Sequence, residues 1–155
     1  MASESYGAVV PNRWDPAVRI PAPRARVFAY LADPRHRTEW QAGLARVQMV
    51  DEGEPRVGMR WVDHLVGGLS FDLQIIGMEP DRMWAEVTRK GPFTAFMTLL
   101  FEDETVDGAP GTCLRIVPRV RGRRLAGPLG VAGTALMNTL VRLDLPRIAR
   151  AAQAA

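Results

Sequence analysis

The chain has 155 residues, 47% of them apolar, which suits one domain with a buried core and is too apolar for a disordered chain. The formal net charge is +3, but acids are interleaved with the basic residues, and all of the latter except Lys90 are arginine. The short cluster Arg119, Arg121, Arg123 and Arg124 lacks the interleaved aromatic side chains on which bases stack, so nucleic acid is not an expected partner. Cys113 stands alone, which excludes an internal disulfide and a cysteine metal site.

In chain order, residues 1–12 show no pattern and read as a loose lead-in to a single domain over 13–155. The start, Met1-Ala2-Ser3-Glu4-Ser5, is acidic and has no apolar segment, so no signal peptide is expected and a cytoplasmic location is the default. Ala17–Ile20 reads as a strand. Pro21-Ala22-Pro23 turns the chain into a helix whose apolar face is Val27, Phe28 and Leu31, and Asp33-Pro34 ends it. A second short helix, about Pro34–Gln41, carries Trp40 and stops at Gly43.

Strands follow at Leu44–Val50, Arg60–Val66, Leu69–Met78, Met83–Arg89, Ala95–Glu102 and Thr112–Val120. They are separated by Asp51–Pro55, Gly67-Gly68, Glu79-Pro80-Asp81, Gly91-Pro92 and Asp107–Gly111. Tight turns between successive strands predict an antiparallel meander. Arg124–Ala152 reads as one long helix with Leu129, Leu136, Leu140 and Leu143 on a common face, and Pro146 should kink or interrupt its last turns. The uncharged stretch Leu125–Val141 would span roughly 26 Å as a helix, short of the ~30 Å hydrocarbon core, so it reads as a buried helix and not a membrane span. The expected fold is α+β: a curved antiparallel sheet of about seven strands around a long C-terminal helix, with two short helices after the first strand.

Several motifs occur in a telling order: Ile20-Pro21-Ala22-Pro23, Val27-Phe28-Ala29-Tyr30-Leu31-Ala32-Asp33-Pro34, Glu39-Trp40, Val57-Gly58-Met59-Arg60-Trp61, Met78-Glu79-Pro80-Asp81-Arg82, Gly111-Thr112-Cys113-Leu114 and Gly127-Pro128-Leu129. From about Val18 to Arg150 the chain resembles the polyketide cyclase/dehydrase type of the START-like (SRPBCC, helix-grip) superfamily. The resemblance implies an internal cavity for a hydrophobic small molecule, a role in natural-product biosynthesis, and an aromatic wall residue at Trp40. The superfamily includes enzymes and lipid carriers alike, so activity does not follow from fold. Members usually end with a basic amphipathic turn, whereas this chain has Arg142-Leu143-Asp144-Leu145-Pro146-Arg147, which would put an acid near the pocket mouth.

Strand alternation nominates the pocket residues. Phe71, Leu73 and Ile75 should point inward, as should Leu114 and Ile116, while Asp72, Gln74 and Arg115 face water. Trp61 and Leu65 are inward, and the same parity turns Asp63 inward. A carboxylate on an apolar face is disfavoured unless it is paired or protonated, which is how a carboxyl becomes a general acid or base near neutral pH. Asp63 therefore either moves a proton on substrate or is paired with an arginine or turned out by register. The parity of Trp84 and Glu86 against Met83, Ala85 and Val87 stays open; with Trp84 inward, Glu86 is a second internal acid. Trp40, Met97, Phe101, Leu136 and Leu140 complete the candidate lining. Tyr30 reads as core or surface, and Asp144 as a surface carboxylate near Arg147. His36 and His64 read as exposed, two isolated histidines and one cysteine make no metal-ligand cluster, and no cofactor motif or nucleophile elbow is present. The function expected is a cofactor-independent cyclase or dehydratase acting by positioning and proton transfer, with a non-catalytic carrier as the alternative. A homodimer is left open.

Overall fold

The computed structural model describes residues 9–123 and 127–155, so residues 1–8 of the lead-in and Arg124, Leu125 and Ala126 lie outside the described residues. Seven strands are present: β1 Ala17–Ile20, β2 Leu44–Met49, β3 Arg60–Leu65, β4 Ser70–Glu79, β5 Met83–Lys90, β6 Phe93–Val106 and β7 Ala109–Gly122. They form one antiparallel sheet in the order β1-β7-β6-β5-β4-β3-β2. Between β1 and β2 come α1 (Arg24–Leu31), a 3₁₀ turn (Pro34–His36) and α2 (Arg37–Trp40); α3 (Gly127–Ala154) closes the chain.

The meander follows from the turn chemistry, and two strands are longer than the sequence suggests. Asp107–Gly111 reads as one break because it holds two glycines and a proline, yet only Asp107 and Gly108 leave the ladder, and Thr105 pairs with Pro110 and Glu104 with Gly111. Gly111 serves close approach: a Cβ there would lie 2.9 Å from the Ile20 carbonyl oxygen and 2.5 Å from a Val106 methyl. The ladder between β4 and β5 shifts register between Ile75 and Gly77, so Ile75 stands opposite Glu86 and Met78 opposite Trp84. That bulge returns Met78 to the core side of the sheet.

The concave core is built from Ile20, Val27, Phe28, Leu31, Trp61, Ile75, Trp84, Phe101, Leu114, Ile116 and Ile148. α3 lies along β7 and β1, against α1 and α2. Its seat corrects the sequence reading. Leu129, Leu136, Leu140 and Leu143 share a face, but all four are exposed, and the face that meets the sheet carries Gly130, Met137, Val141 and Ile148. The reason is the helix's near contact with β7. A Cβ on Gly130 would be 2.8 Å from the Gly122 nitrogen and 2.9 Å from the Val120 oxygen, so only a glycine face fits there. The Val120 N–H then donates to Thr134 Oγ1 at 2.8 Å and fixes the helix's rotation. α3 also runs on past Pro146 to Ala154, so the helix is not interrupted there. No helix among the described residues is long and apolar enough to cross a membrane.

Candidate functional site

The short helix α2 buries two side chains against the core of the domain. Asp33 starts the turn before it by accepting from the Arg35 N–H at 3.0 Å, and one turn later Arg37 and Trp40 fall on the same inward face. Arg37 is only 2% exposed. Its guanidinium lies between two strand carboxylates: Nε donates to Asp63 Oδ2 at 3.1 Å, Nη2 lies 3.0 Å from the same oxygen, and Nη1 donates to Glu86 Oε2 at 2.7 Å. Asp63 Oδ1 accepts from the Trp61 indole N–H at 3.0 Å. The rings of Trp40 and Trp61 each lie 5.5 Å from the guanidinium carbon.

Asp63 and Glu86 are 3% and 4% exposed, so both acids point inward, and Trp84 points inward with Glu86. Of the alternatives open for Asp63, the arginine-paired one is present. The cluster holds two acids against one guanidinium. Burial raises the Glu86 pKa to about 7; Arg37 opposes that rise and the Asp63 charge adds to it. At neutral pH the trio therefore holds its second negative charge only part of the time. The two carboxylates keep the Arg37 pKa above its usual value despite burial.

Beside this cluster, under α3, lies a hollow of about 120 Å³. Leu99, Leu114 and Ile116 form its sheet wall and Met137, Val141 and Ile148 its helix wall. Leu31, Trp40, Gln41 and Met97 close the sides, and Leu140 and Asp144, one helical turn apart, form the rim. Leu140 is 52% exposed, consistent with a rim position. Asp144 is half-buried, and its Oδ1 accepts from the Ala42 N–H at 2.9 Å; burial raises its pKa, against the opposing effects of that hydrogen bond and of Arg147. An acid thus stands at the mouth, as the unusual C-terminal motif suggests, and its reading as a surface carboxylate is corrected.

Of the nominated lining residues, Trp40, Met97 and Leu140 line the hollow. The others lie elsewhere. Trp61 and Trp84 lie tilted at 32° with their ring centroids 6.1 Å apart within the core, Leu73 is core, and Phe101 packs edge-on to Phe28 at 5.2 Å. Phe71 is half-buried under Lys90 Nζ, 4.7 Å from its ring centroid, and Leu65 pairs with Leu44 at the far side of the sheet. Leu136 is 60% exposed, on the outer face of α3, and is not part of the lining. Asp63 and Glu86 are not lining residues either; Trp40 and Met97 stand on the hollow's side of the cluster, Met97 directly opposite Glu86 in the β5–β6 ladder.

Arg37 was missed by sequence reasoning, although two inward acids call for a buried cation and Arg37 precedes Trp40 by one turn. Gln41 and Met137 were missed as well, and neither carries a signal without the seat of α3. Tyr30 is buried and donates to Glu39. His36 and His64 are half-buried, hydrogen-bonded to Glu39 and Gln48. Among the described residues no group of three potential metal ligands is placed to hold an ion.

Comparison with known proteins agrees with this architecture. The family described as polyketide cyclase/dehydrase and lipid transport matches residues 15–153. A structural-genomics protein from Nitrosospira multiformis superposes with a TM-score of 0.65 at 17% identity, covering 87% of this chain and 92% of that one. XoxI from Bacillus cereus gives 0.67 at 11% identity over 88% and 92%. A Thermus thermophilus protein, TTHA0849, gives 0.61 at 18% identity over 90% and 95%. At such identities the likeness is one of fold. No match to a curated protein is found.

Proposed function

The chain belongs to the polyketide cyclase/dehydrase and lipid-transport family, and from that premise we propose that it binds one small apolar molecule in the hollow under α3. The observation that carries this reading is the lining: every residue around the space of about 120 Å³ except Gln41 and Asp144 is aliphatic, methionine or tryptophan. Apolar cavities of this order stay dry and take up single-ring compounds; one of about 150 Å³ holds benzene. Burying such a ligand gains about 25 cal/mol for each Å² removed from water. A molecule of several fused rings would need α3 to move outward.

The test is calorimetric titration with toluene. Wild-type protein should show one saturable site, and Met137→Trp, which fills the space from the half-buried helix side, should weaken binding at least about tenfold, ~1.4 kcal/mol, while leaving the melting temperature nearly unchanged. Absence of saturable binding by the folded wild type would overturn the proposal, as would equal binding by the filled variant.

A second reading, catalysis of cyclisation or dehydration of a polyketide-like substrate, is favoured by one observation: Glu86, with a pKa near 7, faces Met97 across the ladder at the edge of the hollow. A group that ionises near the working pH suits proton transfer, typically a ~10²–10⁴-fold effect. Glu86 does not line the hollow, so this reading requires Met97 to swing aside; as a carboxylate Glu86 would then take the proton next to a substrate carbonyl, and as the acid return it to the departing hydroxyl, so that water leaves and no net proton is consumed. Asp63 would share the Arg37 charge and hold that arginine in place. In this reading Glu86→Gln and Asp63→Asn abolish turnover of a poly-β-ketone while toluene binding persists; full turnover in both variants would remove it.

A further inference from the structure

The leucine face of α3 has no seat within the domain. Leu129, Leu136, Leu140 and Leu143 are each more than half exposed, and they line one flank of the helix for about 21 Å. An aliphatic stripe of that length is uncommon on the surface of a single domain and marks a contact surface. Arg147 follows Leu140 by seven residues and Arg150 follows Leu143 by seven, so the stripe runs on into two exposed arginines. Asp144 is the one acid in α3, and it is half-buried, accepting from the Ala42 N–H at 2.9 Å. Gly43, the residue after Ala42, accepts from the Val66 N–H at 2.8 Å. The turn between β3 and β4, where Val66 and Leu69 are also more than half exposed, thus stands two hydrogen bonds from that flank of α3. Lys90 donates to the Ser70 carbonyl beside Leu69.

Aliphatic side chains here keep company with positive charge. A second copy laid face to face on this stripe would add arginines and offer no exposed acid from α3 to meet them. A protein groove cut for one helix would leave the β3–β4 turn uncovered. We propose that the leucine flank of α3 docks on the surface of an anionic lipid bilayer. A bilayer needs no matching shape, takes aliphatic side chains roughly 5–10 Å into the boundary between headgroups and acyl chains, and attracts lysine and arginine to its phosphates. α3 is not long and apolar enough to cross a membrane, so the helix lies along the surface. Leu140 belongs to both the stripe and the rim of the hollow, so docking brings the mouth of the hollow against the lipid. This inference goes beyond the binding reading and holds whether or not the hollow is filled.

The test is co-sedimentation with vesicles, without any ligand. Wild type is compared with Leu136→Gln combined with Leu143→Gln, and with Arg147→Gln combined with Arg150→Gln. All four side chains are exposed and none lines the hollow, so both double variants should melt as wild type does and still bind toluene. Wild type should sediment with vesicles of phosphatidylcholine and phosphatidylglycerol in equal amounts. Its partition should fall about tenfold or more on phosphatidylcholine alone, and by as much on the mixed vesicles in either double variant. Wild type left in the supernatant with the mixed vesicles would overturn the proposal. A dimer in light scattering that the leucine pair of substitutions dissolves would then assign the face to a second copy, and a monomer would assign it to another protein. Equal partition on the two vesicle types, or a folded double variant that sediments like wild type, would overturn it too. Vesicle binding by a protein that takes up no toluene would leave the docking standing while the binding reading falls.

Discussion

Replacing Arg37 with methionine removes the guanidinium from between two buried carboxylates while keeping an unbranched chain. Asp63 retains the Trp61 indole as a donor, and Glu86 loses its hydrogen bonds to the guanidinium, at 2.7 and 3.3 Å. Breaking a buried pair by deleting one partner costs about 3–5 kcal/mol, because charge is left uncompensated. Against a total stability of roughly 5–15 kcal/mol this is a large share. A domain of this size shifts its midpoint by about 2–4 °C per kcal/mol, so Arg37→Met should lower Tm by roughly 6–20 °C at pH 7. The loss should grow from pH 7 to pH 9. Arg37 is what holds the Glu86 pKa down against burial, so wild type stops losing stability once pH passes about 7, whereas the variant, in which Glu86 keeps its proton to higher pH, goes on losing it. Combining Arg37→Met with Asp63→Asn and Glu86→Gln should recover at least half of the loss at pH 7. Circular-dichroism melts and urea titrations at both pH values read all of this. A loss below about 1 kcal/mol at pH 7, or an equal loss at both pH values, would refute the reasoning that a buried ion cluster organises this end of the sheet.

Three further outcomes follow from the same structure. The Glu86 pKa rises from 4.5 to about 7 on folding, so the folded state binds the proton more tightly and this group's contribution to stability is lost as pH climbs between those values. The wild type should therefore lose up to about 3 kcal/mol relative to Glu86→Gln across that window, measured as the difference of urea stabilities at successive pH values; a flat difference would contradict the raised pKa. Gly130→Ala would press a methyl against the β7 backbone and should cost a net ~1–3 kcal/mol despite alanine's better helix propensity; a gain in urea stability would show that α3 is not seated there. Tyr30→Phe removes the hydroxyl's hydrogen bond to Glu39 and should cost about 1 kcal/mol without altering toluene affinity; altered affinity would place Tyr30 in the hollow.

The sequence made the strands and their inner faces legible because period-two alternation survives without tertiary context: Trp61, Asp63, Leu73, Ile75, Leu114 and Ile116 are all buried. The helix was legible in extent but not in rotation. Four leucines at helical spacing look like a core face, yet the glycine side of α3 faces β7, because steric room at a single backbone contact outweighs the larger apolar residues. The same displacement left Leu136 outside the lining and brought in Met137 and Asp144. Alternation identified Asp63 as unusual but could not supply its partner, since Arg37 lies 26 residues away and contact across the fold has no local signature. The parity of Glu86 was undecidable because Ala85 and Val87, on the other side of β5, are buried as well.

The central claim, that a small apolar molecule occupies the space under α3, is tested most directly by the methionine methyl groups. Met97 and Met137 line the hollow, whereas Met49, Met59, Met78 and Met83 lie elsewhere in the fold. In a toluene titration of protein labelled with ¹³C at the methionine methyls, followed by nuclear magnetic resonance, the account predicts saturable shifts confined to Met97 and Met137. Unmoved signals from those two residues, or shifts of equal size at all the methionines, would contradict it.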